Sequence, residues 1–189
     1  MKKVLTTEEW IAKRRAEAAE RKKRSKPPKE RKSAFVTSYR KFTEIASQAV
    51  YGSAHLDPKG YHEYLPPDLT ALEIAGHARA ALLASRFITP KHPEWDDVIR
   101  IPTKEEFKAW EEADKARAGV KTLKALFNGA GHVSLTLRDG KIAIKPTRYR
   151  GHGHWEGIRG QEDTVLPEDV SVEELGRAIL DALDISRSA

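Results

Sequence analysis

Two stretches of this chain lie over one another without a gap at an offset of 101 residues. Leu65-Pro66-Pro67-Asp68-Leu69-Thr70 matches Leu166-Pro167-Glu168-Asp169-Val170-Ser171, and Glu73 matches Glu174. Ala81-Leu82 then matches Ala182-Leu183, and Ser85-Arg86 matches Ser186-Arg187. Common capping grammar accounts for part of this likeness, but an ungapped register over 22 residues reads as a duplicated unit. Each copy follows strand-like sequence. The repeat therefore predicts an α+β chain in which an antiparallel hairpin/strand plus helix unit occurs twice.

The recurring residues are those that start and bury a helix. Thr70 with Glu73, and Ser171 with Glu174, are capping boxes: each hydroxyl can accept the N–H three residues on, and each carboxylate can reach back. Leu69 with Ile74, and Val170 with Leu175, supply the hydrophobic staples. Ile74, Ala78, Ala81 and Leu82 share one helical face, as do Leu175, Ala178, Ile179, Ala182 and Leu183. Arg86 and Arg187 close the two helices, where a cation favours the helix dipole.

Ala34–Tyr39 and Phe42–Ile45 read as β-rich segments around a short turn, and Val50–Leu56 as a third, closed by Asp57-Pro58-Lys59-Gly60. In the second copy, Asp139-Gly140 is the dipeptide of a two-residue type I′ turn, whose central residues both need positive φ. That turn sets Leu137 opposite Ile142 and Leu135 opposite Ile144, with Val133 on the same face. Between the copies, Thr103 and Glu106 start a helix running to about Ala118; Gly119 breaks it, and Val120–Phe127 predicts a short second helix. The expected organisation is one domain over residues 33–189, with copies at 34–87 and 132–187 and a helical connector at 103–127. Residues 1–32 read as a basic, disordered N-terminal extension. There Thr6 and Glu9 offer another capping box, but after Trp10-Ile11 only alanines remain to bury.

The net charge of +6 suggests nucleic acid until its distribution is read. Residues 1–32 hold 13 Lys/Arg and 5 acids, whereas the remaining 157 hold 21 Lys/Arg and 23 acids. The basicity belongs to the extension, and the body is mildly acidic. Its acids cluster: 8 against 3 bases from Glu94 to Asp114, and 8 against Arg177 alone from Glu162 to Asp184. From Arg138 to Arg159 the balance reverses to 6 bases and 2 acids. One acidic cluster is ordinarily a solvated helix face; two on a small body suit a cationic partner. Trp95, within Pro93-Glu94-Trp95-Asp96-Asp97, is an aromatic ringed by acids, the composition of an interface with a basic protein, although a tryptophan is more often a packing residue.

Catalytic constellations are missing from the sequence: it has no phosphate-binding Gly-rich loop ending in Lys-Ser/Thr, no His-Glu-x-x-His and no nucleophile elbow. Cys is absent, which removes thiolate chemistry and Cys-ligated metals. His152 and His154 at i, i+2 could begin a metal site if extended, but no third ligand is near and a flexible loop is the simpler reading. No cofactor or metal is expected. No run approaches the roughly 18 apolar residues of a membrane span, and no secretory signal opens the chain, so a cytoplasmic location is expected.

Taken together, Lys121–Phe127, the hairpin from Ser134 to Thr147, Trp155-Glu156-Gly157, Leu166-Pro167 and Ser171–Leu180 ending in Ser186-Arg187 resemble CdiI, the immunity proteins of contact-dependent growth inhibition systems. In the first half, Ser53–Gly60, Tyr64-Leu65-Pro66 and a helix ending Ser85-Arg86-Phe87 agree. The resemblance covers about residues 34–187. Ala75-Gly76 departs from it, since the family tends to place Leu-Gly one position earlier, and so does the basic extension. The resemblance implies a non-enzymatic cytosolic protein that binds the C-terminal toxin of a cognate CdiA; such toxins are frequently nucleases, often acting on tRNA. A nuclease grips a polyanion with a basic surface, which an acidic inhibitor can cover. On charge alone, the candidate toxin-binding residues are Trp95, Asp96, Asp97, Glu105, Glu106, Glu111, Glu112, Glu162 and Asp163. The folded domain is expected to bind neither membrane nor nucleic acid directly. Two rivals stand beside this reading: a nucleic-acid-binding module using the basic arm, and a small metal-free ribonuclease built on a His with a Lys.

Overall fold

The computed structural model describes residues 27–151 and 153–189. The Thr6–Glu9 capping box, most of the basic extension and His152 lie outside the described residues. The elements run β1 (Lys32–Ser38), β2 (Thr43–Val50), β3 (Ala54–Leu56), β4 (His62–Leu65), α1 (Ala71–Ala84), α2 (Trp95–Val98), α3 (Lys104–Ala118), α4 (Leu123–Leu126), β5 (Gly131–Arg138), β6 (Lys141–Gly151), β7 (His154–Gly157), β8 (Thr164–Pro167) and α5 (Val172–Arg187). The strands form one sheet in the order β3-β2-β1-β5-β6-β7, with β4 also pairing with β2 and β8 with β6. All seven strand pairings are antiparallel. This is an α+β single domain.

The two halves pair alike. β2 carries β3 along one part of its outer edge and β4 along another; β6 carries β7 and β8 in the same way. The halves meet where β1 lies antiparallel to β5, with Val36 opposite Val133 and Ala34 opposite Leu135. The Asp139-Gly140 hairpin takes the expected register, Leu137 opposite Ile142 and Leu135 opposite Ile144, and both turn residues have positive φ (52° and 70°).

Helices α1 and α5 cover one face of the sheet. Ala34, Val36, Ile45, Val133, Leu135, Ile142 and Ile144 from the strands bury themselves against Ile74, Ala78, Leu82, Leu175, Ile179 and Leu183. Burying each large aliphatic side chain contributes about 1.5–3 kcal/mol. Gly176 lets the two helices touch: a Cβ there would sit 1.8 Å from the Ala71 carbonyl oxygen. Thr70–Glu73 and Thr103–Glu106 are full capping boxes, while Ser171 accepts the Glu174 N–H at 3.2 Å without the reciprocal carboxylate contact.

The recurring Ser-Arg pair has a structural meaning in its serine. Ser85 Oγ accepts the Ser33 N–H (2.8 Å) and donates to the Gln48 carbonyl (2.6 Å). Ser186 Oγ accepts the His132 N–H (2.8 Å) and donates to the Thr147 carbonyl. Each serine thus ties the end of a helix to the first and second strands of its own half. The arginines diverge. Arg86 lies beyond α1 and grips the fully buried Asp57 carboxylate through two 2.6 Å contacts and Glu94 through a third, so its role is an ion-pair hub rather than dipole compensation. Arg187 does sit in the last turn of α5, bonding Asp184 (2.6 Å) and Ser38 Oγ (2.8 Å).

Three local expectations change. β2 continues to Val50 because Ala46, Ala49 and Val50 are fully buried, and the chain then bends through Tyr51–Ser53 before the short β3. The second connector helix shrinks to α4, capped by Thr122, whose hydroxyl accepts the Ala125 N–H. His154 begins strand β7 rather than a flexible loop, and Tyr149 pairs with Trp155 there.

Candidate functional site

The opposite face of the sheet is closed differently. Residues that alternate with the core positions point there: Phe35 and Thr37 on β1, paired with Ala46 and Glu44 on β2 and with Ser134 and His132 on β5. Tyr64 on β4 pairs with Glu44, and Trp155 on β7 pairs with Tyr149. Their rings form a nearly continuous row. Phe35 stacks on His132 (5.7 Å), His132 on Trp155 (5.0 Å), and Trp155 meets Phe127 (5.9 Å). Phe127 leads through Tyr39 (5.7 Å) and Phe42 (4.5 Å) to Tyr64 (5.7 Å). A row of ring faces carries partial negative charge, which attracts cations.

Over this row runs the connector. α3 contributes no buried residue at all, although its Phe107 and Trp110 make an edge-to-face pair. Phe107 is 46% exposed and Trp110 42%. Between α3 and the sheet lies a cavity of about 680 Å³. Phe107, Trp110, Phe35, His132, Phe127 and Trp155 give it aromatic walls, while Glu44, Asp97, Glu106, Glu111 and Asp114 bring carboxylates. Apart from histidines, Arg100 is the single basic residue on the lining.

Those five carboxylates are not equivalent. Glu106 caps α3 and takes both arms of Arg100 (2.5 and 2.7 Å), which holds its pKa down at about 2. Glu44 is buried and bonded to His62 at 2.9 Å. Asp114 pairs with Arg117 at 2.9 Å, yet burial and then the Glu44 charge push its pKa up to about 6. Arg117 itself lies 3.4 Å from the centre of the Tyr64 ring, so carboxylate, guanidinium and ring meet beside the groove, which Asp114 lines. Asp97 and Glu111 make no ion pair with any described residue. Asp97 has the Arg100 Nε–H on its backbone carbonyl (3.1 Å), which leaves Glu111 as the groove carboxylate with no basic partner among the described residues.

His132 sits between Phe35 and Trp155 in the ring row. Thr147 Oγ1 donates to the His132 carbonyl (3.2 Å), so it accepts from the His132 Nδ1–H (2.7 Å), fixing that tautomer. Burial drives the His132 pKa down to about 4, leaving the ring neutral and able to stack.

The charge-based candidates therefore divide. Asp97, Glu106 and Glu111 reach the groove, with Asp96, Glu105 and Glu112 exposed on the same short helices outside it. Glu112 is drawn to Lys115 at 2.8 Å. Trp95 packs with Ala49, Ile88 and Val98 and stands edge-on to Tyr51 (5.2 Å), a packing site. Glu94, at the head of the acidic run, is held by Lys59 and Arg86. Glu162 and Asp163 are exposed in the segment between β7 and β8 and do not line the groove. Charge counting missed Phe107, Trp110 and the ring row. One signal was available, because Ala34–Tyr39 places large apolar or aromatic residues on both alternating faces, Val36 on one and Phe35 and Tyr39 on the other, with no charge on either, the mark of a strand covered on two sides. Among the described residues, no three His, Asp or Glu side chains converge as a metal cage, and no helix is long and apolar enough to cross a membrane.

The family model of CdiI, the CDI immunity protein, matches residues 32–186. The chain belongs to the CDI immunity protein family. Its relatives include immunity protein CdiI-YPIII of Yersinia pseudotuberculosis serotype O:3, 29% identical over 155 residues that span 75% of this chain and 88% of the relative. Among solved structures, a protein of unknown function from Neisseria meningitidis superposes with a TM-score of 0.73 at 23% identity, covering 85% of this immunity protein and 98% of the other chain. A chain of the CdiA-CT/CdiI toxin and immunity complex from Yersinia pseudotuberculosis gives 0.68 at 24% identity, with 86% and 99% covered. At those identities the two structures speak to the fold that this immunity protein shares.

Proposed function

We propose that this immunity protein neutralises the C-terminal toxin of a cognate CdiA in the cytoplasm, by stoichiometric binding and without turnover. The observation that carries the reading is the open face of the sheet: an acidic, ring-lined groove of about 680 Å³ in a member of the immunity family. Such a surface suits a basic protein, as a nuclease that grips nucleic acid must be. A stable interface buries about 1,600 Å² in all, more than a groove alone supplies. The contact therefore extends from Asp97, Glu106 and Glu111 onto the neighbouring Asp96, Glu105 and Glu112, with Trp95 supporting this face from beneath. Glu162 and Asp163 are outlying candidates on the β7–β8 segment. Protection resides in residues 33–189, and the basic extension 1–32 is dispensable for it.

The test mixes the purified protein with the toxin domain encoded immediately upstream of its gene. A 1:1 complex by light scattering, and toxin activity that falls linearly to zero at one equivalent, are expected. Absence of binding, or consumption of an RNA substrate by the immunity protein alone, overturns the reading. Loss of protection on deleting residues 1–32 would favour a nucleic-acid-binding arm instead.

A further inference from the structure

The groove already contains one solved recognition problem at its end. Arg117 lies flat on Tyr64 with its centre 3.4 Å from the ring centroid, is 5.5 Å from Phe42, and is paired with Asp114. A ring face together with a neighbouring carboxylate is the arrangement that holds a partly desolvated cation. The open stretch of the groove repeats those parts: Phe107 and Trp110 are half exposed, and Glu111, one residue on, has no ion-pair partner among the described residues. A helix that only packs would bury such a pair, yet both rings stay more than two-fifths exposed and α3 has no fully buried residue. Arg100 does not fill the gap, because both of its terminal nitrogens are engaged by Glu106.

We propose that this stretch is a socket for one basic side chain of the toxin, held between the Phe107–Trp110 pair and the Glu111 carboxylate. The proposal rests on the toxin-binding reading above and adds to it the point of entry and the chemistry of the entering group. The cation enters over α3, stacks on the indole and pairs with Glu111, reproducing Arg117 on Tyr64. Neighbouring acids guide it in over the range of a Debye length, about 8 Å at physiological salt.

The experiment is a double-mutant cycle by titration calorimetry between the full immunity protein and the upstream-encoded toxin domain. Glu111→Gln and Trp110→Leu are each expected to weaken binding about tenfold, and Trp110→Phe, which keeps a ring, to recover most of the loss. Both residues are solvent-reaching, so melting temperatures within a few degrees of wild type certify the fold. Each Arg and Lys of the toxin is then changed to Ala. One of them should show the same loss in wild type and little further loss with Glu111→Gln. Tight toxin binding by wild type that both groove substitutions leave within twofold overturns the socket and spares the immunity reading. Self-association abolished by those substitutions, with toxin affinity unchanged, would give the groove to a second copy and overturn it equally. Wild type that binds no toxin fails the underlying reading instead.

Discussion

The two faces of this sheet are made by the same strands and do opposite work. On one, Ala34, Val36, Val133, Leu135, Ile142 and Ile144 meet two long amphipathic helices and vanish from solvent. On the other, Phe35, Thr37 and His132 line a groove whose far wall is a helix with no fully buried residue. The first face is closed by apolar area, which is non-directional and strong. The second has only a small apolar cluster, in which Ala118, Val120, Leu123 and Leu126 pack with Tyr39 and Phe42, and adds ion pairs to it, Arg100 on Glu106 and Arg117 with Asp114 beside Tyr64. A domain that must be stable and also present a recognition surface can keep the two demands on separate faces of one sheet. Substitutions should then separate into those that cost stability and those that cost binding.

The largest effect belongs to the closed face. Leu135→Ala removes a fully buried side chain between β1 and β6, and should cost about 2–5 kcal/mol in urea denaturation. Gly176→Ala drives a Cβ into the Ala71 carbonyl, so α1 and α5 must part at a cost of about 3 kcal/mol. If either variant weakened toxin binding while keeping wild-type stability, the division between faces would be wrong.

His132 makes the open face sensitive to acid. Its folded pKa of about 4 lies below the ordinary 6.5, so the unfolded chain takes up the proton first. Stability from this group is complete above pH 6.5 and falls as pH drops towards 4, by up to about 3 kcal/mol. Melting temperature against pH should show that slope, and His132→Phe, which keeps a ring between Phe35 and Trp155, should flatten it.

Ser85→Ala and Ser186→Ala test the likeness of the two halves. Each leaves a strand N–H and a strand carbonyl without their shared partner, at a cost of about 1–3 kcal/mol. Equal losses would mean that the halves are energetically as alike as their bonding.

What was legible in the sequence follows from what is local. The capping boxes, the Asp139-Gly140 turn and the register it sets involve neighbours, and the repeat at 101 residues exposed the recurring serines before their bonds were known. Illegible were the partners that only tertiary structure brings together. Lys59 is 35 residues from Glu94, and Arg86 and Arg100 reach Glu94 and Glu106 across non-helical segments with no periodic spacing to announce the pair, so counting acids overstated the free charge. The ring row draws on β1, the β1–β2 turn, β4, α4, β5, β6 and β7, each supplying one or two rings with no periodicity between them. Position in the repeat did not predict the fates of Arg86 and Arg187: Arg86 reaches Asp57 and Glu94 off its helix, whereas Arg187 meets Asp184 three residues back on its own.

The smallest expected effect is also the most discriminating for the open face. Asp114 titrates near pH 6, raised by burial and by Glu44, so here the folded state binds the proton first. Its contribution is fully present below pH 3.8 and is lost as pH rises through 6, the reverse of His132. Part of the group meets solvent, so screening keeps this contribution small. It should show locally rather than in global melting: amide exchange in α3, corrected for its intrinsic pH dependence, should quicken between pH 4 and 7 while α1 and α5 stay unchanged. Asp114→Asn holds that position neutral at every pH and should remove the trend. If α1 and α5 quickened together with α3, the two faces would be opening as one unit, and the groove could not be a surface that moves or binds apart from the core.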